Sequence, residues 1–357
     1  MTMENRKDNG AEGKALEGLN EPKAPPICGT VSIPEKTEAK TDTRMNLSSA
    51  QEGALKGSAG PSGHFDGIIN INKEAGMTSS DVVARLRRIL GQKKIGHTGT
   101  LDPMATGVLP ICVGKATRLS DYIMEKDKVY VAGLTLGAET DTQDSEGKII
   151  FRSDKIAGRE EILEALPAFT GEIMQTPPMY SALKIGGKKL YEYARAGQEI
   201  RREPRRVTVY KLELLDEIVE NQFILRVHCS KGTYIRTICA DLGKKLGTGG
   251  YMSSLVRTRA GCYDISEAFT LGQIEEMVSL NDHSFLRPMD EPLLKFRRAD
   301  IRPEFEKQFL NGAALKAEMY ISEKLSEGER VRVYFNGGFR ALSVMREGKL
   351  KILCLLA

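Results

Sequence analysis

Between Gly96 and Pro110 the chain reads Gly-His-Thr-Gly-Thr-Leu-Asp-Pro-Met-Ala-Thr-Gly-Val-Leu-Pro, with neither helical nor strand periodicity. Three glycines, two prolines and three threonines fall within fifteen residues. Glycine admits conformations and close approaches that a Cβ blocks, and proline fixes φ and removes a donor. The segment therefore predicts a shaped loop that the rest of the fold must hold in place. Its one group charged at neutral pH is Asp102, and Pro103 steers that residue away from helical geometry. Loops held by rigid elements are where catalytic groups collect, whereas the plainer reading is an Asp-Pro turn between two elements. The remainder of the chain decides between them.

A chain of 357 residues, 41% hydrophobic and 28% charged, is long enough for a sizeable core and two domains. No run approaches the roughly 18 apolar residues of a membrane span, and Met1 to Pro26 lacks the apolar core of a secretory signal. The six cysteines are scattered without a C-x-x-C pair, which argues against a disulfide framework or a zinc site and favours the cytoplasm. The net charge is +4. Residues 1–64 hold eight Lys/Arg and nine Asp/Glu, so the positive excess belongs to the rest. That first segment is rich in Glu, Lys, Gly, Pro, Ser and Thr and poor in Val, Ile, Phe and Tyr, and is expected to be a disordered extension.

Order is predicted from Phe65, with a strand to Lys73 and then a helix over Asp81–Leu90 whose apolar residues fall at 82, 83, 86, 89 and 90. Lys93, Lys94 and His97 make a basic approach to the Asp102 loop. Val108–Val113 is expected as a strand, Lys115–Met124 as a helix, Lys128–Leu136 as an alternating strand and Arg159–Phe169 as an amphipathic helix. Asp141–Gly147 is polar turn material without the spacing of a calcium loop, so no metal is expected. From 184 to 211 nine Lys/Arg stand against three Asp/Glu, interleaved with Tyr191, Tyr193 and Tyr210. Cations among aromatics suit phosphate contacts and base stacking, as well as a plain solvated insertion. Val207–Leu215 and Gln222–Cys229 read as paired strands, Ser230–Thr237 as a connecting segment, and Ile238–Leu246 and Leu271–Val278 as helices. This order, without regular βαβ repetition, predicts an α+β fold. Three short strands separated by Asn336-Gly337-Gly338 and Arg346-Glu347-Gly348 predict a small C-terminal β module.

Taken together, Gly96–Pro103, Ala105–Leu109, Lys128-Val129-Tyr130, Pro177–Ala182 and Lys231-Gly232-Thr233-Tyr234-Ile235-Arg236 resemble the TruB family of pseudouridine synthases, from about Asp66 to the C-terminus. The resemblance implies a pseudouridine-synthase fold with a mixed, mostly antiparallel sheet over 65–290, carrying a basic RNA-binding insertion at about 175–206. It further implies a PUA-like RNA-binding module over 291–357. The implied activity is isomerisation of uridine to pseudouridine at position 55 in the T loop of transfer RNA. The target base would flip out of its stack, and no cofactor or obligatory protein partner would be needed. A monomer is expected. Two other readings remain open: a non-catalytic helper of tRNA folding, and a guide-RNA-dependent relative of the same family. One departure stands out: Lys73 precedes Glu74 where the family commonly has Lys-Pro.

Carried over residue by residue, the resemblance makes Asp102 the nucleophile, acting at C1′ or C6, and Tyr130 the ring that stacks on the target base. Arg236 becomes the partner of Asp102, placed with Tyr234 on one face of an extended segment. Tyr234 and Leu255 line the base pocket, His97 enters the space left by the flipped base, and Lys73 adds to the RNA-facing surface.

Overall fold

The computed structural model describes residues 64–356 together with the backbone of a two-residue strand, Ser58–Ala59, that pairs antiparallel with Phe65–Asp66. The expectation of a disordered extension otherwise lies outside the described residues. Seven strands carry the main sheet: β1 (Phe65–Lys73), β2 (Thr106–Val113), β3 (Lys128–Leu136), β4 (Gly171–Gln175), β5 (Arg205–Val219), β6 (Gln222–Cys229) and β7 (Gly250–Ala260). They run in the order β1-β2-β7-β3-β6-β5-β4. Every neighbouring pair is antiparallel except β2 with β7, so the sheet is mixed and mostly antiparallel, as expected.

Helices α1 (Ser79–Ile89), α2 (Arg159–Ala165), α3 (Leu190–Arg195), α4 (Ile235–Leu246) and α5 (Leu271–Ser279) lie in the connections between these strands and after the last of them. Thr78 and Asp81 form a reciprocal capping box at the start of α1, which fixes where the helix begins. One apolar core joins Val82, Val83 and Leu86 of α1, Ile238 and Leu242 of α4 and Ile274 of α5 to Ile69, Ile71, Leu109 and Ile111 of the sheet. A second core lies against Ile68, Val108 and Cys112 and reaches Leu342 and Leu356 near the C-terminus. Residues 108 to 113 are thus covered on both sides, which explains why β2 is continuously apolar instead of alternating.

Three expectations are corrected. Lys115–Met124 is not one helix but a 3₁₀ segment, Gly114–Leu119, followed by a short α-helix, Ser120–Met124. The helix expected from Ile238 begins at Ile235. The third concerns the C-terminal module, which has six strands and not three: β8 (Arg297–Ile301), β9 (Leu315–Lys316), β10 (Tyr320–Ile321), β11 (Arg330–Phe335), β12 (Gly338–Arg346) and β13 (Lys349–Leu355). Their order is β9-β13-β12-β11-β8-β10, with β8 and β11 parallel. The β11–β12 hairpin turns through Asn336 and Gly337, with φ of 48° and 72°. Two positive φ values are what a tight hairpin turn of the primed type requires. A β-rich sheet of this kind is consistent with the PUA-like module. Among the described residues no helix is long and apolar enough to cross a membrane.

Candidate active site

The Asp102 loop leaves a short strand, Ile95–His97, and enters β2 at Thr106, so both ends of the glycine-rich stretch are strand and only its middle is irregular. Anchors arrive from three sides. Thr98 donates from its backbone N–H and its hydroxyl to the Pro110 carbonyl, at 3.0 and 3.1 Å. Ser79, at the start of α1, accepts from the Leu101 N–H at 2.9 Å and donates to its carbonyl at 3.2 Å. The Pro103 carbonyl accepts from the Gly76 N–H at 2.9 Å and from Lys73 Nζ at 3.2 Å. Ala105 N–H closes the turn on the Asp102 carbonyl at 3.1 Å.

The remaining anchor is Arg257 on β7, only 1% exposed. Its Nε donates to the Val108 carbonyl at 2.6 Å and its Nη2 to the Gly99 carbonyl at 3.3 Å, so one guanidinium spans the loop from entry to exit. The parallel pairing of Gly107 with Arg257 brings the two backbones together there. Gly107 has φ of 98°, and a Cβ at that position would overlap the Arg257 carbonyl oxygen and stand 3.0 Å from its carbonyl carbon and nitrogen. This glycine is a matter of packing as well as of backbone freedom.

Asp102 is left with its carboxylate half-buried, 3.5 Å from Arg236 Nη2. Arg236 is a buried cation shared between two acids, since its Nη1 lies 3.3 Å from Asp144 Oδ2. Its Nη2 also donates to the Tyr180 carbonyl at 2.5 Å. Asp144 is buried in turn and accepts from the Thr142 hydroxyl at 2.6 Å and the Glu146 N–H at 3.1 Å. Burial pushes the Asp102 carboxyl above the usual carboxylate range; Arg236 opposes that rise and Asp144 adds to it.

Arg236 reaches this position from a helix, not from the extended segment expected. Tyr234 is the N-cap of α4, and Gln175 ties it down by accepting from its N–H at 2.7 Å and donating to its carbonyl at 3.0 Å. The Arg236 guanidinium lies 6.0 Å from the centre of the Tyr234 ring. Tyr130 projects from β3 directly opposite Arg257 in the β3–β7 ladder. It is almost wholly buried, which pushes its phenol upward, with Arg257 within hydrogen-bonding reach as an opposing influence. Leu255, two residues before Arg257, is buried on the same face of β7. His97 is half-buried; burial and the neighbouring Arg257 charge lower its pKa, and its Nδ1 is enclosed without a hydrogen-bond partner among the described residues.

Lys73 is corrected from a surface residue to a support. It is 1% exposed, and its ammonium donates to the carbonyls of Glu74 at 2.9 Å, Met77 at 2.7 Å and Pro103 at 3.2 Å. Burial brings its pKa down to about 8. Sequence reasoning missed Arg257 and Asp144. Arg257 shares the two-residue phase of buried Leu255, which is the one hint that it points inward. Asp144 was read as turn material and gave no signal of its own.

The family model described as "TruB family pseudouridylate synthase (N terminal domain)" matches residues 87–235. A second, "tRNA pseudouridylate synthase B C-terminal domain", matches residues 236–294. The chain belongs to the TruB family. Among TruB relatives, the tRNA pseudouridine synthase B of Alkaliphilus oremlandii is 45% identical over 79% of this chain and 94% of its own length. That of Streptococcus mutans is 50% identical over 71% of this chain and 88% of its own. In three dimensions the chain is similar to one from a Cbf5-Nop10-Gar1 complex, with a TM-score of 0.64 and 27% identity over 82% of this chain and 85% of that one. As a TruB-family chain the protein is an isomerase, and Asp102, Tyr130, Arg236 and Arg257 lie within the two matched segments.

Proposed function

We propose that the protein converts uridine 55 in the T loop of transfer RNA to pseudouridine, with Asp102 as the nucleophile. The observation that carries this reading is the Asp102–Arg236–Asp144 arrangement, which presents a partly desolvated carboxylate from a loop pinned on three sides. A carboxylate held and desolvated in this way suits covalent catalysis.

The reaction breaks the C1′–N1 bond, turns the uracil and joins C5 to C1′, with no net redox change. If Asp102 attacks C1′, it displaces uracil N1 and is itself displaced as C5 bonds to C1′, after which the C5 proton leaves and N1 is protonated. If it adds to C6, it is eliminated as the C5 proton leaves, once the C5–C1′ bond has formed. Arg236 keeps the carboxylate ionised before attack and receives its charge again on release. Tyr130 stacks on the uracil, and its hydroxyl, beside Arg257, serves the transfer of the C5 proton. Tyr234 and Leu255 wall the base pocket. Since a stacked T-loop uridine is out of reach, the base flips into this pocket, with His97 at the entrance and the basic segment around 184–206 on the RNA backbone. Identities of 45% and 50% to tRNA pseudouridine synthase B relatives, against 27% to the Cbf5 chain, support the tRNA reading over the guide-dependent one.

The test incubates the protein with an unmodified T-arm stem-loop and maps pseudouridine by position. Conversion at the loop uridine, abolished in Asp102→Asn with RNA binding retained, is the expected result. Product at another uridine refutes the specificity, and turnover by clean Asp102→Asn refutes the role of the carboxylate.

A further inference from the structure

Lys126, just before β3, places its Nζ 5.4 Å from the centre of the Phe296 ring. Lys295, in the connection to the C-terminal module, places its own Nζ 5.4 Å from that same ring. The first residue of β11, Arg330, has its guanidinium 6.0 Å from the ring and 5.3 Å from that of Tyr122. Three parts of the chain, remote in sequence, thus bring three cations to one aromatic ring at the junction of the main sheet and the module.

The carboxylates at this junction do not balance the cluster. Glu125 is shared between Arg330 at 3.3 Å and Lys231 at 3.9 Å. Among the described residues neither Lys126 nor Lys295 has an ion-pair partner, although both ammonium groups lie 5.4 Å from the same ring. Burial and the charges of Lys295 and Arg330 depress the Lys126 ammonium. A ring face attracts cations by about 0.5–1 kcal/mol at exposed sites, which does little against like charges at this spacing. An external anion removes the repulsion. Lys231, which shares Glu125 with Arg330, also begins the segment that leads into α4, whose Arg236 lies beside Asp102.

We propose that Lys126, Lys295 and Arg330 form a phosphate-binding site for the backbone of the substrate RNA, reaching from the catalytic sheet onto the C-terminal module. This rests on the RNA-modifying function proposed above and assigns a further part of its RNA surface. The site grips backbone and not bases, so it adds affinity without sequence preference.

The test compares wild type with the double variant Lys126→Gln/Lys295→Gln. Arg330 stays intact because it already pairs with Glu125. The dissociation constant for an unmodified tRNA transcript is measured over a salt series, together with single-turnover pseudouridine formation at saturating enzyme. Loss of two phosphate contacts is expected to flatten the log Kd against log salt slope by about 1–2 and to weaken binding about tenfold near 0.1 M salt. The saturating rate should stay within about twofold of wild type, and the melting temperature should hold or rise as like charges are removed. An unchanged salt slope overturns the proposal. So does a fall in melting temperature with unchanged binding, which makes the cluster structural. Binding by wild type without pseudouridine formation refutes the proposed reaction alone, since the salt slopes still read the phosphate site. Failure of wild type to bind tRNA refutes both.

Discussion

The substitution Gly107→Ala separates the shape of the loop from its chemistry. Gly107 has φ of 98°, and its α-carbon lies against the Arg257 backbone so closely that a Cβ would overlap the carbonyl oxygen. Left-handed backbone costs an L-residue about 1–2 kcal/mol. Forcing a methyl into a filled space costs about 1–3 kcal/mol more. The sum, about 2–5 kcal/mol, lowers the melting temperature by roughly 5–15 °C for a domain of this size. The methyl can be accommodated only if β2 and β7 part, carrying Arg257 away from the Gly99 and Val108 carbonyls it holds at 3.3 and 2.6 Å. Displacement of a catalytic loop by about 1 Å is enough to cost about a hundredfold in rate. Gly76→Ala is the matched control: φ is 81° there, but nothing lies within 4 Å of a Cβ, and its N–H still reaches Pro103. It should lose only the backbone term, roughly 2–6 °C, and keep its rate. Both variants are followed by thermal unfolding and by single-turnover pseudouridine formation on a T-arm stem-loop well below either melting point. A wild-type rate in Gly107→Ala, or an equal loss in Gly76→Ala, means that the β2–β7 contact does not position Asp102, the proposed nucleophile.

Arg236→Gln removes the charge that opposes the burial-driven rise of Asp102, so its carboxyl should climb further above the usual carboxylate range. The acid limb of the pH–rate profile should move to higher pH, whereas Asp144→Asn, which removes a like charge, should move it to lower pH. In Lys73→Met three carbonyls lose a donor, at a cost of about 1–3 kcal/mol near pH 7. Folded Lys73 titrates at about 8 against an ordinary 10.5, so the unfolded chain binds more protons between those values and wild-type stability rises with pH across that window. Urea unfolding at pH 7.5 and 10 should therefore show the deficit of the variant widening. Tyr130→Phe keeps a ring to stack on the base but loses the hydroxyl, and should lower the single-turnover rate by about 10²–10⁴ with RNA affinity retained.

The loop, the strands β3 and β6 and the final hairpins were legible in the sequence because each carries a local signature: glycine-proline density, two-residue alternation, or a tight turn. What was not legible depended on contacts made across the fold. Tyr234-Ile235-Arg236 follows a turn and is rich in residues that favour strands, yet it opens a helix because Gln175, far away in sequence, ties down Tyr234. The two-residue strands β9 and β10 have no periodicity to read and exist only as neighbours of β13 and β8. Lys73 and Arg257 misled for the opposite reason. Long cations are usually solvated, and only burial by remote segments turned these two into supports.

That burial has an electrostatic consequence. Lys73 gives its hydrogens to the Glu74, Met77 and Pro103 carbonyls, and Arg257 donates to those of Val108 and Gly99. Neither ammonium nor guanidinium forms an ion pair among the described residues, so neither charge is cancelled at close range. Lys73 acts on Asp102 from beneath the loop, and Arg257 acts on Tyr130 and His97. The carboxylate is thus partly stripped of water, which raises its free energy, while Arg236 in contact and Lys73 at a distance both favour its ionised form. The role proposed for Asp102 as nucleophile needs both conditions at once: little solvent to shed, and charge enough to attack. The same supports that give the loop its shape supply part of that charge, so a substitution at Lys73 disturbs geometry and reactivity together, whereas one at Gly107 leaves every charge in place and acts by moving Arg257.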